Sequence, residues 1–203
     1  MILNFLRYRY FLLFLLILIF GCGYPIKNLD SQGTDIICFG NSITSGVGAE
    51  GGRNYPYFLS QLIGRRVINA GKSGDTTYEA LKRLERDVLS YNPYLVIVEL
   101  GGNDFLRRIP TKITLKNIEE IITRIQEKGA MVALVDVSWG PIMSGYRKEF
   151  KRLARKKGLI FIPSVMRGIL NDPSLKYDWI HPNSKGYEII AHRIYKAIKP
   201  YLK

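Results

Sequence analysis

From residue 34 onward, short apolar runs alternate with segments whose apolar positions recur at helical spacing. The runs Asp35–Phe39, Arg66–Asn69, Leu95–Leu100, Met131–Val137 and Leu159–Ile162 predict strands. They are continuously apolar rather than alternating, the pattern of a parallel sheet covered on both faces. The helical spacing predicts helices over Tyr55–Ile63, Thr77–Ser90, Leu115–Lys128, Arg147–Lys157 and Ser184–Ile198. Strands alternating with helices predict an α/β fold: a three-layer α/β/α sandwich of about five parallel strands with right-handed crossovers. The common flavodoxin-like order 2-1-3-4-5 sets the first three strands side by side. The chain shows no internal repeat and no low-complexity segment.

The first residues follow a different pattern. Arg7 and Arg9 precede an uninterrupted apolar run, Tyr10 to Phe20, and then Gly21-Cys22. The run is shorter than the roughly 20 apolar residues of a membrane span and fits the core of a signal peptide. Ile19, Gly21 and Cys22 resemble the lipobox of bacterial lipoproteins, which implies cleavage before Cys22 and lipid attachment to it. Phe20 is bulkier than that motif usually carries. An uncleaved anchor and a plain secretory signal are the competing readings, and all three export the protein. The expected organisation is a signal peptide over 1–21, a polar tether over 22–33, and one domain over 34–203. Export as an envelope-anchored lipoprotein, facing periplasm or exterior, is the expected location.

Composition narrows the picture further. The 203 residues are 47% hydrophobic and 23% charged, as in an ordinary globular protein. With Cys22 acylated, Cys38 has no partner, and within Ile36-Ile37-Cys38-Phe39 it reads as a small buried hydrophobe. No disulfide framework and no zinc spacing is present. The formal charge of +13 is densest between Arg147 and Lys157. Phe150, Leu153 and Ala154 form an apolar stripe there, which turns the basic residues to water. That face is either merely solvated or drawn to an anionic membrane or envelope polymer. Nucleic acid is excluded as a partner by export and by the absence of a recognition motif.

In a sheet of this order, ligands bind at the carboxyl ends of the strands. Three segments fall there: Gly40-Asn41-Ser42-Ile43-Thr44, Ala70-Gly71-Lys72-Ser73-Gly74 and Gly101-Gly102-Asn103-Asp104. Ser42 is a poor nucleophile until a base takes its proton. The chain has two histidines. His192 lies opposite the apolar stripe of the last helix and reads as a surface residue. His181 precedes that helix, and Pro182 keeps it on a loop. Asp178, three residues earlier, is spaced to orient the imidazole and stabilise its charged form. The backbone N–H groups of Ser42 and Gly71 and the Asn103 amide are candidate donors to a developing oxyanion.

Phe39-Gly40-Asn41-Ser42-Ile43-Thr44, Gly71, Gly101-Gly102-Asn103-Asp104 and Asp178-x-x-His181 resemble the four sequence blocks of SGNH (GDSL-like) hydrolases, in that family's order. Each block alone is weak; four in sequence are specific. The resemblance implies Ser42 as nucleophile, His181 as base, Asp178 as its orienting acid, and Ser42, Gly71 and Asn103 as oxyanion donors. Asn41 stands where many members carry Asp. Val98 to Asp104 is further similar to the periplasmic thioesterase/lysophospholipase/arylesterase branch. The implied activity is hydrolysis of carboxylic esters or thioesters, with a small acyl ester or a lysolipid as substrate and no cofactor or metal. An O-acetyl esterase acting on envelope polysaccharide remains open. So does a non-catalytic phosphate- or flavin-binding module, although that leaves Asn103 and the Asp178/His181 pair without a role.

Several other residues carry weaker expectations. Asp104 reads as a brace for its loop, and Glu99 as a strand charge that has a buried partner or faces the crevice. Asp136 is the rival to Asp178. Trp139, Met143 and Tyr146 either line an acyl pocket or pack on the core. Trp179 is expected to pack and fix the loop between Asp178 and His181.

Overall fold

In the computed structural model the described residues are 23–138, 140 and 143–203. Five strands form one parallel sheet in the order β2-β1-β3-β4-β5, as the sequence pattern predicts. They are β1 (Asp35–Gly40), β2 (Val67–Gly71), β3 (Pro93–Glu99), β4 (Met131–Val135) and β5 (Ile160–Ile162). The helices are α1 (Ser42–Ser45), α2 (Tyr55–Ile63), α3 (Thr77–Leu84), α4 (Gly102–Leu106), α5 (Thr111–Glu127), α6 (Ser144–Lys157) and α7 (Ser184–Ile198).

Alternate side chains of the central strands point to opposite faces, which is why these strands have no polar side. Ile37, Phe39, Val96, Val98, Val132 and Leu134 meet Ala80, Leu84, Ile118, Ile122 and Phe150 from α3, α5 and α6. Ile36, Cys38, Leu95, Ile97, Met131 and Ala133 meet Tyr55, Leu59, Tyr187, Ile190 and Ile194 from α2 and α7. Truncating a fully buried Ile or Leu in either layer costs about 2–5 kcal/mol. Cys38 is free and fully buried, and burial pushes its thiol pKa up.

Local chemistry sets the helix ends. Asn54 caps α2 by accepting from the Tyr57 N–H at 3.0 Å, and Gly64 ends that helix in a left-handed conformation. Thr76 and Glu79 form a capping box on α3, and the Thr76 hydroxyl chiefly holds the Glu79 carboxyl below its ordinary pKa. Asn183 accepts from the Gly186 N–H and starts α7 just after His181.

The described part of the expected tether lies against the domain. The Asn28 amide donates to the carbonyls of Gln126 and Ala130 at 2.8 and 2.9 Å, and the Tyr24 hydroxyl to Leu159 at 2.7 Å. These anchors sit where the chain enters β4 and β5, at the end of the sheet opposite the loops that follow the strands. Residues 1–22, including the predicted signal segment and Cys22, lie outside the described residues.

Candidate active site

The carboxyl end of β1 turns directly into α1, so Ser42 stands at the first residue of a short helix. Asn41 caps it, accepting from the Ile43 N–H at 3.0 Å while its own amide donates to Glu99 Oε1 at 3.2 Å. The loop before α7 brings His181 opposite. His181 Nε2 lies 3.0 Å from Ser42 Oγ, and Nδ1 lies 2.8 Å from Asp178 Oδ2. An ionised carboxylate only accepts, so in neutral His181 the proton sits on Nδ1 and Nε2 accepts the Ser42 hydroxyl.

The loop is held by its own backbone. Asp178 Oδ1 accepts the N–H groups of Ile180 and His181, each at 2.9 Å, and the Tyr177 N–H donates to the His181 carbonyl. Partial burial works to raise the Asp178 carboxyl. Hydrogen bonds from the His181 ring and these two N–H groups outweigh it and hold the pKa below the ordinary carboxylate value.

Ser42, His181 and Asn103 line one crevice, of ≈ 460 Å³ out to its open mouth, with Ile43, Leu106, Val137, Val165, Met166 and Ile180 as apolar walls. Asn103 donates one amide hydrogen to the Asp75 carbonyl at 2.8 Å, which ties α4 to the loop after β2. Gly71 closes β2 against the nucleophile turn: a Cβ there would overlap the backbone of Thr44 and Ser45. Its N–H, an expected oxyanion donor, is given to Asn69 Oδ1 at 2.9 Å. Gly74, in the same loop with φ +83°, gives its N–H to no group among the described residues, and its carbonyl accepts from Arg107.

The remaining expectations resolve as follows. Asp104 is fully buried and braces its loop, accepting from the Thr77 N–H at 2.9 Å and from the Thr77 and Thr114 hydroxyls. Glu99 does both things anticipated of it: it has buried partners and it lines the crevice. Met143 and Tyr146 are buried in the core, away from the crevice walls, and Trp139 lies outside the described residues. Trp179 corrects its expectation. Its side chain does not pack to fix the loop but is 87% exposed, with the Lys176 ammonium 5.1 Å from its ring centre. Backbone bonds to Asp178 already fix the turn, so the indole is not needed for it. Exposed His192 matches its reading.

Sequence reasoning overlooked Arg83. Its buried guanidinium donates to Asp75, Asp87 and the carbonyls of Gly40 and Ala70, joining the ends of β1 and β2 to the loop that carries Gly74. Part of the signal was present: Arg83 and Asp87 are four apart on a helical pattern, whereas Asp75 lies in the loop before the helix, beyond the reach of that spacing.

The profile of the GDSL-like lipase/acylhydrolase family matches residues 38–189. The arylesterase of Vibrio mimicus is 26% identical over 181 residues, covering 82% of this chain and 89% of its own length. Thioesterase 1/protease 1/lysophospholipase L1 of Escherichia coli K12 is 27% identical over 174 residues, covering 81% and 83%. Among solved structures, the psychrotrophic esterase EstA from Pseudoalteromonas sp., inhibited by monoethylphosphonate, is similar with a TM-score of 0.73. It is 27% identical, with 82% of this chain and 97% of that one covered.

Proposed function

Because the chain belongs to the GDSL-like lipase/acylhydrolase family, it is a serine ester hydrolase, and we propose that Ser42, His181 and Asp178 are its catalytic triad. The observation that carries this reading is the unbroken hydrogen-bonded line from Asp178 through His181 to Ser42 inside an apolar crevice.

The chemistry follows from that line. His181 Nε2 takes the Ser42 proton as Oγ bonds to the ester carbon, and the carbonyl becomes a tetrahedral oxyanion. The Ser42 N–H and the second amide hydrogen of Asn103 donate to it. Gly71 joins them once Asn69 releases its N–H, and the N–H groups of Ser73 and Gly74, without partners among the described residues, are further donors in the same loop. His181 then protonates the leaving alcohol or thiol, leaving an acyl-enzyme. Water, deprotonated by the same nitrogen, attacks the acyl carbon and frees the acid and Ser42. Asp178 keeps the imidazole in the productive tautomer and offsets its charge.

The apolar walls suit an acyl chain, and the names borne by the relatives, arylesterase and lysophospholipase, suit acyl esters and lysolipids. The test is hydrolysis of p-nitrophenyl esters from acetate to palmitate by wild type and Ser42→Ala, with fluorophosphonate labelling of Ser42. Turnover and labelling lost together in Ser42→Ala support the assignment; turnover retained in that variant removes it. An optimum at acetate would favour O-acetyl groups over lipid chains. The envelope anchor is likewise proposed, from the Arg7-to-Cys22 pattern: Cys22→Ser should release the protein from the membrane fraction.

A further inference from the structure

Beneath the nucleophile turn lies a carboxyl group that the triad does not use. Glu99 ends β3 beside Gly40 of β1 and is 2% exposed. Its Oε1 accepts the Asn41 amide at 3.2 Å, and its Oε2 accepts the Thr44 hydroxyl at 2.9 Å. Asn41 precedes Ser42 and Thr44 follows it by two residues. One carboxylate therefore clamps the turn on both sides of the nucleophile.

We propose that Glu99 is a positioning residue for Ser42, and that its ionised form, accepting from Asn41 and Thr44 at once, is the one that holds the turn in its reactive shape. The inference rests on Ser42 being the nucleophile.

Three features support it. A carboxylate accepts on both oxygens, whereas a carboxylic acid must donate from one of them. Protonation therefore reverses the bond to Thr44, whose hydroxyl then turns to Tyr55 Oη, 2.9 Å away. Second, no ion pair among the described residues offsets this charge. The titratable groups around it are Cys38 on β1, Tyr55 on α2 and Tyr187 on α7, none of them a cation, while His181 in the same crevice pairs with Asp178, and Arg83 at the Gly40 carbonyl pairs with Asp75 and Asp87. A buried carboxyl so placed is a cost that packing alone does not explain. Third, burial pushes its pKa up to about 7, against the lowering effect of the Thr44 and Asn41 bonds, so its charge changes near neutral pH.

The test compares the full-length wild type with Glu99→Gln and Thr44→Val. Glu99→Gln keeps the shape but fixes the donor pattern of the protonated acid. Expected at pH 8 is a fall of about tenfold in kcat with KM unchanged, and a parallel fall in the rate of Ser42 phosphonylation. The acid limb of kcat should lose the proton that belongs to Glu99 and become shallower. Thr44→Val keeps the charge but removes one donor, so its acid limb should move to higher pH; this arm decides the matter if Glu99→Gln does not fold. Wild-type kcat and an unchanged acid limb in a folded Glu99→Gln would overturn the proposal, as would an unshifted limb in Thr44→Val. Ser42→Ala that still turns over ester removes the underlying reading instead, so the two failures are distinct.

Discussion

Asp136 accepts from Arg147 Nε at 2.8 Å and makes no hydrogen bond with His181. Its carboxylate, 1% exposed, also takes the backbone N–H of Ser138 at 2.9 Å and of Ser164 at 3.1 Å. It thus fastens the end of β4 to the segment after β5. Ser138 and Ser164 use different oxygens of that carboxylate, so Asp136→Asn keeps an acceptor for only one of the two N–H groups, and it removes the charge facing Arg147, which is itself 38% exposed and able to hydrate. The expected outcome is a loss of about 2 kcal/mol in urea unfolding, the size of a hydrogen bond to a charged group. Ester turnover by the folded enzyme should be unchanged, and a collapse of kcat without loss of stability would contradict this division of roles.

Asp178 sets the opposite case. Asn at this position still accepts the Ile180 and His181 N–H groups through its oxygen, so the loop survives. Its amide, however, presents hydrogens to His181 Nδ1 and selects the wrong tautomer. Asp178→Asn should lower kcat by about 10²–10⁴-fold with little change in thermal stability, as read by steady-state kinetics beside a melting curve.

Much of this site is written in local sequence. The strand cores follow from continuous apolar runs and their order from the common arrangement of such sheets, and α2 and α7 match their spacing because Asn54, Gly64 and Asn183 mark their ends. Other boundaries moved for reasons that periodicity does not carry. β4 stops at Val135 because the Asp136 carboxylate takes over the polar groups beyond it. α5 starts at Thr111, directly after Pro110, one turn before its apolar stripe begins. The short helices α1 and α4 are single turns within the motif loops and leave no stripe at all. Contacts between side chain and backbone were least legible: nothing in the order of residues reveals that Asn69 occupies the Gly71 N–H, or that Trp179 faces solvent.

The two glycines of the loop after β2 should respond differently to alanine. At Gly71 the new methyl meets fixed backbone of α1, which must shift and carry Ser42 with it. Overpacking of this kind costs about 1–3 kcal/mol. At Gly74 the nearest atom is the Arg107 guanidinium at 3.9 Å, so space is available and the penalty is the left-handed backbone alone, about 1–2 kcal/mol. Gly71→Ala should therefore slow Ser42 phosphonylation more than Gly74→Ala at comparable thermal stability. Equal rates in the two variants would mean that α1 does not rest on Gly71 in solution.

The ionisation of Glu99 should act on stability and on turnover with opposite signs. Its pKa rises from the ordinary 4.5 to about 7 on folding, chiefly through burial. Between those values the folded protein keeps a proton that the unfolded chain has released. Stability is then fully present below pH 4.5 and declines as pH rises through 7. The loss amounts to about 3 kcal/mol, at 1.36 kcal/mol per pKa unit. Gln cannot ionise, so denaturant unfolding of Glu99→Gln should show its stability relative to wild type increasing by that amount between pH 4.5 and pH 8. A constant difference across this range would mean that Glu99 is not buried as a neutral acid. If the difference grows as expected while the variant loses turnover at pH 8, the same negative charge that strains the fold is the one that holds Ser42 ready.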